Sequence, residues 1–405
     1  MLKKSINILS VLLSIIAVNG CVETFDFESE IEDFDSALVI EATITNELIF
    51  QEISLSRTFQ LDTIPSFPES NARVKIIDDH RNEFNFEENE LGTYISTKLF
   101  AAEPNRDYQL EIETSNGRLY SSKMMQLTQA TNIETLAVER GIRDDGIEGV
   151  SIYVDSHDTT GNSKYYRYTY EETYKIIAPS YSAYEIVFNE GSFVDYQILL
   201  RSEPEQTCYN TVKSNRIILN NTTNLAVDNV DHFLVRFIGR DNYIMSYRYS
   251  ILVKQYVQSF EAYSYYSTLK DLSESESLLS QNQPGIVIGN VFSKANTNEK
   301  VLGYFEVSSV HKKRVYFNYD DLFSGEDLPP YAVGCDTYFA PAVGGETTSH
   351  PLYDHIAAGF QYFETYDSNF TFPIFPLEGP EVLITRECGD CTALGSTDIP
   401  EFWIE

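Results

Sequence analysis

The sequence predicts a mainly β protein: an N-terminal immunoglobulin-like or transthyretin-like sandwich, then a larger β-rich domain with one or two packed helices. Three observations predict it. Short runs alternating apolar and polar residues recur about every ten positions. An Asn116-Gly117 pair sits between two such runs, the strongest short hairpin signal. A clear helical period of apolar residues appears near Ser259, and no solenoid or propeller repeat is present.

The chain opens with Lys3 and Lys4, then an apolar stretch from Ile6 to Val18 broken by Asn7, Ser10 and Ser14. Helix of that length covers about 20 Å, short of the roughly 30 Å hydrocarbon core, so residues 1–20 read as a cleaved export signal. Val18-Asn19-Gly20-Cys21 places a small residue directly before a cysteine. That junction resembles the lipobox of bacterial lipoproteins, which implies acylation of Cys21. Asn19 departs from the small residue most lipoboxes carry.

Residues 21–36 are rich in Asp and Glu and read as an acidic tether. A plain spacer would carry more Gly, Ser or Pro. Without residues 1–20 the chain holds 27 basic and 61 acidic residues, a net −34. That charge excludes non-specific nucleic-acid binding, which needs Lys and Arg on phosphates. It also argues against a polybasic membrane face, leaving lipid as the means of attachment.

Residues 37–128 read as the small sandwich. Leu38–Ile44, Glu52–Arg57, Ala72–Ile77, Glu83–Phe86, Gly92–Ser96, Asp107–Thr114 and Arg118–Ser122 each carry a strand pattern. Residues 128–132 form a polar connector, and 133–405 the larger domain. Lys164–Glu171 sets Tyr166, Tyr168 and Tyr170 on one strand face, a candidate ligand surface, since Tyr offers apolar area and a hydroxyl. The plainer reading is packing, because Tyr is a preferred strand residue. Met245–Val257 alternates over thirteen residues. Ser259 is a candidate N-cap, followed by an apolar stripe at Phe260, Tyr263, Tyr266, Leu269 and Leu272. Strands resume at Gly285–Val291, Val301–Val307 and Lys313–Phe317, a second helix is expected over Asp354–Thr365, and Phe370–Leu377 reads as an edge or closing strand.

Cys208, Cys335, Cys388 and Cys391 are four cysteines in an exported chain, which predicts two disulfides with three possible connectivities. Cys388-Gly-Asp-Cys391 has redox spacing, but no helix can follow it to activate a thiol.

The order of Ala37-Leu-Val-Ile-Glu-Ala, the Tyr108–Gly117 hairpin, Arg248–Tyr256, Gly289-Asn290-Val291, Val301–Phe305 and Cys388…Trp403 resembles the Bacteroidota outer-membrane lipoprotein family known as domain of unknown function 4249. The resemblance spans nearly the whole mature chain. It implies attachment to the outer membrane, with the body on the cell-surface side, and association with TonB-dependent receptors. It implies no reaction.

No serine-nucleophile elbow, zinc-protease, P-loop or dinucleotide pattern occurs. His350, Asp354 and His355 cluster in sequence, but Pro351 interrupts a shared helix face. No catalytic residue, cofactor or metal is assigned. The expectation is a lipid-anchored accessory or ligand-capture partner of a TonB-dependent receptor. The alternatives are a hydrolase of a surface polymer, which would need two inward carboxylates or a metal, and a structural envelope-assembly protein.

Overall fold

Leu38, Ile40, Ala42 and Ile44 point inward from one strand, and the core of the first unit grows around them. The computed structural model describes residues 36–58, 67–274, 287, 289–341, 349–365 and 380–405. Cys21, the export signal, most of the tether and the Phe370–Leu377 segment lie outside the described residues. Strands take 48 % of the described residues and helices 11 %, so the protein is mainly β.

The first unit contains β1 (Leu38–Thr45), β2 (Glu52–Arg57), β3 (Phe67–Pro68), β4 (Arg73–Asp78), β5 (Glu83–Glu90), β6 (Thr93–Ser96), β7 (Asp107–Glu113), β8 (Leu119–Ser122) and β9 (Met125–Gln126). They pair along the path β1-β2-β6-β5-β4-β7-β8 and wrap one apolar core, a sandwich-like arrangement. The Asn116-Gly117 hairpin forms, but as a three-residue loop. Gly117 donates to Thr114 O at 2.8 Å and alone takes a left-handed φ of +80°, whereas the two-residue form needs both residues there.

The larger unit begins with β10 (Ile133–Ile142), β11 (Glu148–His157), β12 (Tyr165–Ile177), β13 (Tyr184–Phe188), β14 (Tyr196–Leu200), β15 (Thr207–Lys213), β16 (Ile218–Asn221), β17 (Asn229–Gly239) and β18 (Arg248–Gln258). Helix α1 (Phe260–Glu274) follows, then β19 (Val291–Ser293) and β20 (Val301–Asn318). The sheet β10-β11-β17 faces β12 and β18 across the second apolar core. Four short elements come next: α2 (Tyr319–Leu322), β21 (Thr337–Phe339), α3 (Pro351–Ala357) and β22 (Gln361–Thr365). The last are β23 (Glu381–Ile384) and α4 (Arg386–Gly389). Here β21, β23, β22 and the β13–β14 hairpin enclose a small third core at Ile186, Leu352, Tyr362 and Leu383.

β20 joins the two units. Val301–Ser308 runs parallel to β1, and Ser309–Asn318 runs antiparallel to β18. Its 18 residues span about 60 Å. β19 also pairs with β8 of the first unit. The sequence reading placed all of 133–405 in the larger domain, yet residues 291–293 and 301–308 complete the first sheet. The connector is tied to this seam: Thr128 Oγ1 donates to Val257 O at 2.7 Å and accepts from Ser309 N at 2.9 Å.

Two helical expectations change. Ser259 does cap α1, accepting from Ala262 N at 3.1 Å, but Phe260 is 59 % exposed and Ala262 is the fully buried residue. Instead of a helix over Asp354–Thr365, α3 starts at Pro351 and stops before Gly359, whose φ of +100° ends it, and Gln361–Thr365 becomes β22. No helix among the described residues is long and apolar enough to cross a membrane.

Candidate functional site

The three tyrosines expected to bind ligand are interior. Tyr166 and Tyr168 are fully buried and Tyr170 nearly so. The Tyr166 hydroxyl donates to Ser163 O at 2.9 Å and Asp228 Oδ2 at 3.0 Å, and that of Tyr168 donates to Gln255 Oε1 at 3.1 Å. Period two set them correctly on one face, but the sheet β10-β11-β17 covers that face, so it is core.

The cysteines form Cys208–Cys391 and Cys335–Cys388. Both thiols of the Cys-x-x-Cys thus pair outward rather than with each other. One bond fastens β15 to the C-terminal tail, and the other holds the loop before β21 against α4.

Among the described residues, one group could gather metal-ligand atoms within 4.8 Å: Asp78, Asp79 and His80. Asp78 is already engaged, pairing with Arg106 at 2.5 Å and accepting from the Asn82 side chain at 2.7 Å. His350 stacks on Phe193 of the β13–β14 turn, and His355 Nδ1 sits 2.6 Å from Pro351 O within its own helix, so the two histidines serve separate packing roles. The buried carboxylates Glu172 and Asp228 have dedicated donors, whereas Glu381 accepts from Tyr196 on one oxygen and leaves the other unpaired. Glu172 takes Tyr249 at 2.5 Å and two Arg236 nitrogens at 3.0 and 3.2 Å. Asp228 takes Tyr166 and Thr222.

The concave surface worth attention lies where the units meet, beside α1. A groove of about 880 Å³ runs between the outer face of β1 and β2, the start of β20 and α1. Its far wall is the loop at Ser214–Ile217. A second groove of about 950 Å³ lies across the helix, against residues 123–128. Tyr265 and Tyr304 line both, with ring centroids 5.2 Å apart, and Tyr266 joins them on the β1 side. Burial pushes the Tyr304 phenol up to about 12 and raises Tyr265 and Tyr266 also. All three therefore remain hydroxyl donors at physiological pH. Exposed Glu41 and Glu52 on the β wall supply acceptors.

Arg167 forms the groove floor. Its guanidinium lies over Tyr256 at 4.4 Å and Tyr266 at 4.7 Å and bonds Glu306 Oε2 at 2.9 Å. Gln258 Nε2 donates to the other Glu306 oxygen at 3.0 Å. Burial acts to discharge Arg167, but Glu306 together with the Tyr266 and Tyr256 phenols outweighs it and holds the pKa above the ordinary arginine value. The floor is thus a fixed ion pair between two rings.

Two glycines shape the wall. A Cβ on Gly303, whose φ is +107°, would lie 1.9 Å from Ile40 O, and one on Gly289 would lie 1.6 Å from Gly303 O. The three backbones cross with no room for a side chain. Sequence reasoning missed this site. A stripe at intervals of three selects Tyr263 and Tyr266 but passes over Tyr265, and the Tyr265-Tyr266 doublet was the available signal.

Comparison with known proteins gives one family. The model of the family described as domain of unknown function (DUF4249) matches residues 24–314, and the chain belongs to that family. The terminal Cys388…Trp403 pattern falls beyond the matched residues. No curated protein matches the sequence. Among solved structures, a DUF4785 family protein from Legionella pneumophila is similar at 5 % identity, over 54 % of this chain and 51 % of that one. The TM-score is 0.15, which carries no argument.

Proposed function

We propose that this DUF4249 chain is an outer-membrane lipoprotein, anchored through acyl chains on Cys21, that captures or presents a ligand for a TonB-dependent receptor. The observation that carries the ligand-capture role is the tyrosine-lined groove at the junction of the two units. Ligand sites favour such junctions, where two rigid walls enclose apolar area and a few directed polar groups. The partly exposed Tyr265 and Tyr266 rings, with the 5 % exposed Tyr304 packed against Tyr265, join neutral phenol donors and exposed carboxylate acceptors in a lining that suits an uncharged polar ligand. The first unit serves as the post, and β20 ties it to the larger unit at the groove.

The test is gentle solubilisation of the tagged protein followed by identification of what co-purifies. A TonB-dependent β-barrel recovered in near-stoichiometric amount supports the reading. A solitary protein, or one that cleaves a surface polymer, rejects it. A Cys21→Ser form is expected to lose fatty-acid labelling and leave the membrane fraction.

A further inference from the structure

The β13–β14 hairpin pairs with no other strand among the described residues. It rests on the third core through Ile186, Phe188 and Tyr196, and β14 lies at its outer edge. Asn189 N donates to Asp195 O, and Arg201 N to Ala183 O, each at 2.9 Å. In an antiparallel ladder these bonds assign the odd-numbered residues of β14 to β13. The N–H and C=O groups of Tyr196, Ile198 and Leu200 therefore face outward.

The side chains along this edge are apolar and open. Ile198 is 37 %, Leu199 43 % and Leu200 68 % exposed; Ile198 and Leu200 share an apolar face with Tyr196, and Leu199 lies on the other face beside Gln197. Edge strands are ordinarily blunted by lysine, proline or a bulge. β14 has none of these.

Charge selects the occupant. Between residues 183 and 201 the hairpin carries Glu185, Glu190 and Asp195 against Arg201, whose guanidinium is taken by Ser182 O, Glu205 and Gln361. A second copy of the chain would bring the same acids against these. A strand of alternating apolar and basic residues would match the apolar face on one side and the charge on the other. We propose that β14 is a docking edge that accepts one extended, apolar and lysine- or arginine-bearing strand of a partner protein by backbone pairing. This goes beyond the receptor reading and does not depend on the groove.

The experiment uses the full mature chain in detergent and three synthetic peptides. One alternates lysine and valine over seven residues, the second replaces lysine with glutamate, and the third places proline at the centre of the first. Amide hydrogen exchange is read residue by residue. The lysine peptide is expected to slow exchange at Ile198 and Leu200 at least tenfold, while the other two leave it unchanged. Ile198→Pro, which removes an N–H the hairpin does not use, is expected to weaken binding at least tenfold with the melting temperature unchanged. If Ile198→Pro lowers that temperature, the peptide-induced protection in the parent chain decides alone. Protection elsewhere, no slowing at millimolar peptide, or a dimer of the chain that protects the same amides would overturn the proposal.

Discussion

The Asn290 side chain holds both polar groups of the Phe305 backbone, Nδ2 donating to Phe305 O at 2.7 Å and Oδ1 accepting from Phe305 N at 2.8 Å. Asn290 is 4 % exposed and Phe305 is fully buried. One side chain therefore does the work of a strand where β20 passes beneath β19. Asn290→Ala would leave a buried donor and acceptor without partners, so it is expected to cost about 2–4 kcal/mol in urea unfolding. Asn290→Asp keeps the acceptor but sets a carboxylate oxygen against Phe305 O in a buried site, so at neutral pH it is expected to cost at least as much as Asn290→Ala.

The Arg167–Glu306 pair lies at 2.9 Å, with side chains 12 % and 2 % exposed. Removing one partner strands the other's charge, so Arg167→Met is expected to destabilise by about 3–5 kcal/mol. Arg167→Met combined with Glu306→Gln should recover part of that loss. A double-mutant cycle in denaturant measures the coupling.

Cys208–Cys391 bridges 183 residues and Cys335–Cys388 bridges 53. In the chain-entropy account the longer loop stabilises more, by about 1 kcal/mol. The Cys208→Ser, Cys391→Ser double variant is therefore expected to melt below the Cys335→Ser, Cys388→Ser variant. Calorimetry under oxidising conditions checks the order, and reductant should abolish the difference.

Asp158 accepts from the Thr160 hydroxyl at 2.8 Å and from the N–H groups of Thr160, Asn162 and Ser163 at 2.8–2.9 Å. Burial acts to raise its pKa, but these donors outweigh it and hold the carboxyl at about 2, below its usual 3.8. Because the folded value is the lower one, this contribution is present above pH 4 and fades as pH falls through 2. Asp158→Asn is expected to lose up to about 2 kcal/mol at pH 7, with the gap to the parent closing near pH 2. Urea titrations across that range provide the measurement.

Much of the β architecture was legible because its strands have one wet and one dry side. β1, β4 and β7 each alternate buried and less buried residues, and the period names them. β20 was read as two strands because its middle has no wet side. From Gly303 to Val310 every residue is buried, including Glu306, Ser308 and Ser309, each engaged by a polar partner from another segment. A period cannot mark a strand enclosed on both faces.

The sequence by itself determined the strand content, the helix cap at Ser259, the number of cysteines available for disulfides and the acidic charge, since each depends on composition or on neighbours along the chain. Tertiary structure decided three things: that Tyr166, Tyr168 and Tyr170 face the core, which cysteines pair, and that Tyr265 and Tyr304 line a groove. Those outcomes depend on which distant segment covers a given face. Tyr is at home on either side of a sheet, and a thiol bonds whichever partner the fold brings within reach.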